Sequence, residues 1–331
     1  METTPKKKWW RWGVNRWLVL GLMILGFVLA GIYAPVLPHV QLPAENLSTR
    51  PLFTLPVIGD FYLTNTLVAT LLAYIILITL AFFFNRAVKR GGLVLRGIPG
   101  ALEALLDMLY NLTESTAGKR ARMIFQWFGT ISLLVLVANW MELIPGVDSI
   151  GFLEKAESGG YALQQLGSGI ATITKSGQGA VVANNYNLIP FVRVVSTDLN
   201  FTVALAIIAV VAVQVIGVRT QGMKYFTKFW NTKTLFSKPI FGAIDFLVGL
   251  LEVVSEFSKV LSFAFRLFGN IFAGSVLLFV MQFLLGRLSI FPTIFLMLEF
   301  FVGAIQALIF GMLTMTFMAQ ATQGHGEHQE A

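Results

Sequence analysis

The 331-residue sequence contains no cysteine, so it can form neither disulfides nor thiolate metal sites. Histidine is scarce too, because the chain has only three, and none has a metal-ligand partner at a useful spacing: His39, His325 and His328. Charged residues make up 12% of the chain, against roughly 25% in a soluble domain. With 56% hydrophobic residues and a mean hydropathy of +0.74, the composition indicates an integral membrane protein. We expect no metal and no cofactor.

The net charge of +7 reflects how Lys and Arg are distributed around apolar runs, rather than a surface for nucleic acid. If the N-terminus is cytoplasmic, the cytoplasmic segments carry seventeen of the 24 Lys and Arg residues, the external segments five and the membrane two. By the positive-inside rule, both termini are predicted to be cytoplasmic. The sequence predicts about six transmembrane segments, within residues 17–33, 61–84, 123–141, 199–218, 240–285 and 293–321.

The first apolar run, from Trp17 to Tyr33, follows a flank with five basic residues and three tryptophans. One alternative is a secretory signal peptide, cleaved after the small residues Val28 and Ala30. The other is an uncleaved first span, which the basic and aromatic flank favours because such residues anchor helices at the membrane interface. On this interpretation, residues 1–60 form an extra N-terminal span and an external loop.

Residues 61–321 are predicted to form the core of the protein, followed by a cytoplasmic tail at 322–331. Within the core, residues 98–114 have an amphipathic helical pattern typical of a helix on the membrane surface or against a partner. Residues 150–190 are rich in Gly, Ser, Gln and Ala, which predicts an external insertion without a core of its own.

The last two apolar segments are longer than a membrane span requires. No proline interrupts the helical pattern from Ile240 to Leu285, a length of roughly 69 Å at 1.5 Å per residue. Because that is about twice a ~30 Å hydrocarbon core, the helix must be strongly inclined, bent or partly laid on the surface. The predicted fold is therefore an all-α integral membrane protein whose last two segments form a long, strongly tilted helical hairpin.

A narrow polar stripe runs along the first of these two helices, within Leu251–Leu278. At 100° per residue, the polar side chains within about 40° of Arg266 are those of Glu252, Ser255, Lys259, Ser262 and Asn270. A charge in hydrocarbon costs at least roughly 2.5–3.5 kcal/mol, so the stripe must face protein, water or an opposite charge. Arg266 either forms a structural ion pair with Glu252 or Glu256, or acts as a fixed cation that attracts a passing carboxylate and blocks protons.

Further polar residues lie at the outer ends of the later spans and in the final helix, at Asn139, Glu142, Ser196, Asp198, Asn200, Glu299 and Gln306. For Asp198, which precedes a helix, N-capping is the alternative interpretation. Together with Glu252 and Glu256 near the cytoplasmic side, these residues describe two polar paths, one opening to each side of the membrane, with Arg266 between them.

The strings around these residues resemble a known family. FRLFGNIFAG, which contains Arg266, and the following IQALIFGMLT are similar to subunit a of the F-type ATP synthase, and NWMELIPG and RVVSTDLNFT support the likeness. The resemblance covers roughly residues 60–321. It implies a proton-translocating stator subunit in the bacterial plasma membrane, not an enzyme on its own. The partners it implies are a ring of c subunits, the peripheral-stalk b subunits, the remaining synthase subunits and membrane lipid.

The resemblance also implies roles for individual residues. Arg266 would face the carboxylate of the c ring. The outer proton path would contain Asn139, Glu142, Ser196, Asp198, Asn200, Asn270, Glu299 and Gln306, and the inner path Glu252, Ser255, Glu256 and Ser262. Many relatives have a titratable residue in place of Ser275, so Glu299 would carry the outer titratable role alone.

Two other functions fit an intramembrane arginine less well. A secondary ion transporter or channel would use Arg266 as part of its own substrate site, but such proteins usually contain inverted repeats, and this sequence shows no internal repeat. A purely structural scaffold would not need a buried arginine with aligned acids.

Overall fold

The computed structural model describes residues 12–32, 44–48, 50–56, 59–90, 97–144, 147–155, 161–167, 170–174, 182–229, 239–285 and 290–323. The basic residues before position 12, residues 33–43 of the predicted external loop, the three histidines and residues 324–331 of the predicted tail lie outside the described residues. The described α-helices are α1 (Trp12–Ile32), α2 (Asn65–Lys89), α3 (Ile98–Ala117), α4 (Ala121–Trp140), α5 (Leu199–Gln221), α6 (Pro239–Leu285) and α7 (Ile290–Thr322).

Five helical stretches in the described part of the chain are long and apolar enough to cross a membrane: Asn65–Lys89, Ile98–Leu143, Leu199–Lys228, Phe246–Leu285 and Pro292–Thr322. In α1, Arg16–Val28 forms a shorter apolar helix. The predicted all-α membrane fold is confirmed, with a number of spans close to the expected six. The predicted amphipathic helix is α3, which a 3₁₀ turn at Gly118–Arg120 joins to α4.

The last two helices form the expected long hairpin. Helix α6 has 47 residues and α7 has 33. They run antiparallel, because the Lys259 ammonium of α6 lies over the Phe317 ring of α7, while Phe263, one turn later in α6, contacts Phe310, two turns earlier in α7. At 1.5 Å per residue, α6 extends about 70 Å, more than twice a ~30 Å hydrocarbon core, so it lies inclined in a bilayer.

The chain divides into two compact units, and the larger comprises residues 41–150, 190–273 and 300–331. Its central core joins α4, α5, α6 and α7 through the buried side chains of Ile131, Val135, Val194, Leu205, Ala206, Ala209, Phe263, Ala264, Leu267, Ile271, Ala307 and Phe310. Before α2, a short hairpin pairs β1 (Phe53–Leu55) with β2 (Gly59–Phe61), and the rings of Phe53 and Phe61 stack at 4.6 Å.

The second unit comprises residues 1–40, 151–189 and 274–299, and it contains the predicted insertion. The insertion forms a four-stranded sheet in the order β3-β6-β4-β5, built from β3 (Gly151–Lys155), β4 (Tyr161–Gly167), β5 (Ile170–Thr174) and β6 (Val182–Pro190). Its Gly- and Ser-rich composition did not predict these strands. The short alternating runs YALQQL and IATIT are the local signal for strands.

Candidate functional site

Arg266 lies on the face of α6 that the described residues leave uncovered. Its side chain is half-buried, and the side chains one turn on either side, Ser262 and Asn270, are exposed. The Nη2 of Arg266 donates a hydrogen bond to the Ser262 Oγ at 3.3 Å. An adjacent face of the helix is packed into the core, where Phe263 and Leu267 are 2% and 1% exposed. Helix α6 therefore packs one apolar face on the core and leaves the polar stripe, with further apolar side chains, uncovered.

The uncovered part of α6 also carries large apolar side chains. Among them are the exposed side chains of Leu261 and Phe265. A fixed cation on such a surface is expensive in lipid. This part of the molecule is therefore suited to a partner that is largely apolar and carries an anion at the level of Arg266.

The two glutamates that could have neutralised Arg266 pair with lysines instead. The Nζ of Lys228 lies 2.5 Å from the Oε1 of Glu252 and 3.3 Å from the Oε1 of Glu256. The Nζ of Lys259 lies 2.8 Å from the same Glu256 oxygen. Among the described residues, no ion pair within 4.0 Å includes Arg266. The structural-pair alternative for Arg266 is therefore not observed.

These four charged side chains line a cavity of about 490 Å³, and Lys224, Tyr225, Phe317, Gln320 and Gln323 are among its other lining residues. Of the predicted inner-path residues, the structure brings Glu252 and Glu256 together in this cavity. Ser255 and Ser262 are exposed on the uncovered face of α6 and are not among the cavity residues. Lys228 was predicted only as one of the cytoplasmic charges, and nothing in its local sequence indicated this position.

Asp198 joins α5 to α2 on the predicted outer side. Its Oδ1 accepts a hydrogen bond from the backbone N–H of Asn200 at 2.9 Å, so it does cap α5. Its Oδ2 accepts a hydrogen bond from the Thr66 Oγ1 at 2.7 Å. The capping role and a place in a polar cluster therefore coexist. The side chain of Asn200 is exposed, so its backbone rather than its amide takes part.

Asn139 also connects separate elements on this side, and it is almost fully buried. Its Oδ1 accepts a hydrogen bond from the Ser196 Oγ at 2.5 Å, and its Nδ2 donates to the backbone oxygen of Gly303 at 3.0 Å. These bonds tie α4 to α7 and to the 3₁₀ turn before α5. Glu142, in the 3₁₀ turn that follows α4, is also buried.

Five further polar residues of this region were not predicted: Glu45, Asn65, Thr66, Asp148 and Arg193. Asn65 donates from its Nδ2 to a Glu45 carboxylate oxygen at 3.3 Å and accepts from the Glu45 backbone N–H at 3.2 Å. Arg193 interacts electrostatically with Glu45, Asp148 and Asp198. The available signal was the position of Arg193 in RVVSTDLNFT, five residues before Asp198.

Burial changes the proton affinity of two charged groups outside the membrane-spanning stretches, Asp148 and Arg193. It raises the pKa of Asp148 to about 6, against an opposing effect of the Arg193 charge. It lowers the pKa of Arg193, which the charges of Glu45, Asp148 and Asp198 counteract. Asp148 therefore exchanges its proton much closer to neutral pH than an ordinary aspartate does.

In the smaller unit, Glu299 is 7% exposed, and its carboxylate lies directly against Gly274 of α6. A Cβ at position 274 would overlap the carboxylate, so a larger residue there would displace the Glu299 side chain. The Oε1 of Glu299 has no hydrogen-bond partner among the described residues. Ser275 is also buried, and in the larger unit Gln306 is half-buried.

The part of the chain that holds these residues is similar to known proteins. The family described as ATP synthase A chain matches residues 67–319, which include all of α4, α5 and α6. This chain belongs to that family. The match also contains every predicted site residue, from Asn139 to Gln306.

Three relatives, each named ATP synthase subunit a, show the extent of the likeness. The protein of Gloeobacter violaceus is 29% identical over 87% of this chain and 100% of its own length. The protein of Mycobacterium leprae is 27% identical over 80% of this chain and 89% of its own length. The protein of Moorella thermoacetica is 24% identical over 81% of this chain and 95% of its own length. The family resemblance inferred from the sequence is confirmed. With its apolar helices, membership in the family makes this a multi-pass membrane protein.

Proposed function

We propose that this chain is the proton-translocating stator subunit of an F-type ATP synthase in a bacterial inner membrane. The observation that carries the proposal is Arg266 on the uncovered, apolar face of α6, with no ion-pair partner among the described residues. A c-ring carboxylate would supply the missing anion at the surface of an otherwise apolar partner. Arg is effectively always protonated, so it can attract such a carboxylate without relaying a proton itself.

Two polar paths would connect Arg266 to the two sides of the membrane. The inner path would use Glu252 and its cavity, together with Glu256, Ser255 and Ser262. The outer path would use the clusters around Asn139 and Asp198, with Ser196, Asn200, Glu142, Asn270, Gln306 and Glu299. Protons would enter the outer path, ride on the ring and leave by the inner path.

The free-energy scale explains why a fixed cation should separate the paths. One charge that crosses 100 mV releases about 2.3 kcal/mol. Several protons must therefore be coupled mechanically to the synthesis of each ATP. A proton that passed directly between the paths would release this energy without turning the ring, and Arg266 would repel it.

The remaining partners and the orientation follow from family membership and from the charge distribution. We propose that the chain contacts the c ring, the peripheral-stalk b subunits, the other synthase subunits and lipid. Both termini would be cytoplasmic, because Lys and Arg concentrate in the segments assigned to that side.

Arg266→Ala in the complete ATP synthase tests the proposal. We expect proton-driven ATP synthesis in membrane vesicles to fall at least about a hundredfold, because the barrier charge is lost. The complex should still assemble and co-purify with its ring and its ATPase head. Arg86→Ala is the matched control, because it removes an exposed arginine at the end of α2, and its rate should equal that of the wild type.

Normal ATP synthesis by an assembled Arg266→Ala complex would contradict the proposal. So would substrate-specific flux through the purified chain alone in vesicles, because a stator subunit has no transport activity without its ring. That second result would favour the secondary transporter instead.

A further inference from the structure

The ion cluster below Arg266 is asymmetric. The Oε1 of Glu256 accepts hydrogen bonds from two ammonium groups, that of Lys259 at 2.8 Å and that of Lys228 at 3.3 Å. Among the described residues, Glu252 pairs with one cation, Lys228, at 2.5 Å. The charge balance of Glu252 therefore depends on Lys228, whereas Glu256 remains paired with Lys259 if Lys228 is removed.

Lys228 reaches this position because the chain after α5 folds back in a 3₁₀ segment, Gly222–Lys228. The ring of Tyr225 packs on Gly217, where a Cβ would overlap it, and its hydroxyl donates to the Gln214 Oε1 at 2.7 Å. The backbone carbonyl of Phe229 packs on Gly249 of α6, which has no room for a Cβ either. Close packing on Gly217 and on Gly249 therefore holds the chain in place before and after Lys228.

The cluster is only partly open to water. The side chains of Lys228 and Glu256 are 23% and 12% exposed. Taking such charges out of water is costly unless they are paired in good geometry. Lys228 is therefore held by its two ion pairs. Lys224, in the same segment, is exposed and has no ion pair among the described residues.

We propose that Lys228 is a positioning residue of the inner proton path, which holds the Glu252 carboxylate oriented toward the cavity. Glu256 and Lys259 hold Lys228 in place. This inference rests on the proposed function, in which Glu252 passes protons to the cytoplasmic side. Without the ammonium group, the Glu252 carboxylate would lose both its orientation and its compensating charge.

Lys228→Gln in the complete synthase tests the inference. In vesicles, ATP-driven proton pumping should fall roughly tenfold, which corresponds to about 1.4 kcal/mol at the barrier. Lys228→Arg keeps the cation and should restore pumping to within about threefold of the wild type. Lys89→Gln makes the same charge change at an exposed lysine at the end of α2, which is not among the residues that line the cavity, and should pump like the wild type.

Wild-type pumping by an assembled Lys228→Gln complex would overturn the inference, and so would a Lys228→Arg variant as slow as Lys228→Gln. If Lys228→Gln does not assemble, the double variant Lys228→Gln/Glu256→Gln replaces it, because it balances the charge of the cluster. Because Glu256 is itself placed in the inner path, Glu256→Gln alone is the reference. Slower pumping by the double variant than by Glu256→Gln supports the positioning role, whereas an equal rate overturns it.

Arg266→Ala separates this inference from the proposed function. If Arg266→Ala blocks synthesis and Lys228→Gln pumps normally, only the role of Lys228 is wrong. If Arg266→Ala synthesises ATP normally, the proposed function itself fails.

Discussion

Two arginines of this chain lie in opposite surroundings. Arg266 is on an uncovered helix face and donates to the Ser262 hydroxyl. Arg193 is half-buried outside the spans and interacts with the carboxylates of Glu45, Asp148 and Asp198. The first is suited to an anion from another molecule, because its charge is not neutralised by the described residues. The second is neutralised within the chain and suits an organising role on the outer side.

Asp148 gives a prediction at this scale. The folded protein holds its proton up to about pH 6, whereas an ordinary aspartate releases it near 3.8. The folded state therefore binds more protons in this window, and stability falls as the pH rises from about 4 to about 6. The Asp148→Asn variant should lack this decrease of stability with pH. Relative to the wild type, its apparent thermal midpoint should gain on the order of 2 °C at pH 7.5 and about half of that at pH 5.

The measurement is thermal unfolding of the purified complex at both pH values. Asp60→Asn is the control, because Asp60 is exposed in the β1–β2 hairpin, and it should shift the midpoint at neither pH. An Asp148→Asn midpoint with the same pH dependence as the wild type would rule out Asp148 as the group responsible.

Among the elements, α6 is long, and its faces have different surroundings. Its buried face joins the core through Phe263, Leu267 and Ile271, and its other face carries the Arg266 stripe. Its earlier part receives the 3₁₀ segment Gly222–Lys228. One helix thereby supports both the proposed partner surface and the cavity on the predicted cytoplasmic side. The orientation of the helix follows from burying Phe263, Leu267 and Ile271, because their burial supplies the hydrophobic gain.

Gly217→Ala is the prediction for this element. A Cβ at position 217 would overlap the Tyr225 ring, so the 3₁₀ segment must shift and carry Lys228 away from Glu252. We expect a loss of about 1–3 kcal/mol in stability, as for other overpacked sites, and slower proton pumping. Thermal unfolding and vesicle pumping measure the two effects.

Gly21→Ala is the matched control in helix α1, because no other atom lies within 4 Å of the added Cβ. It should leave stability and pumping unchanged or slightly improved, since alanine favours helix. A Gly217→Ala protein as stable and active as this control would show that the Tyr225 packing does not hold Lys228.

For the whole molecule, the absence of cysteine makes the orientation directly testable. A single introduced cysteine would be the only thiol in the chain. Lys155→Cys in β3 and Lys224→Cys after α5 replace exposed residues that the predicted topology places on opposite sides. In vesicles with the cytoplasmic face outward, a membrane-impermeant maleimide should label position 224 and spare position 155.

Vesicles of the opposite orientation should reverse this pattern. Labelling of both positions from one side would contradict the topology, and a fully reversed pattern would place both termini outside. Wild-type protein is the natural control, because it has no thiol to label.

The sequence predicted the membrane fold, the long hairpin and the alignment of Arg266 with Ser262 and Asn270. These follow from composition and helical periodicity, which are local and need no knowledge of packing. The sheet of residues 151–190 was not predicted, because its composition is typical of loops. The likeness of FRLFGNIFAG to a known family indicated the function, and the family match confirmed the membership.

Tertiary structure decided which charges meet. Lys228 and Glu252 are 24 residues apart and on different elements, as are Thr66 and Asp198. Sequence by itself determined that a cation lies in an apolar helix, because hydrophobicity and the 3.6-residue period are properties of neighbouring residues. Only the packing decided that Arg266 is left without an ion pair among the described residues while Glu252 and Glu256 bind lysines, because pairing depends on distances across the fold that no local pattern contains.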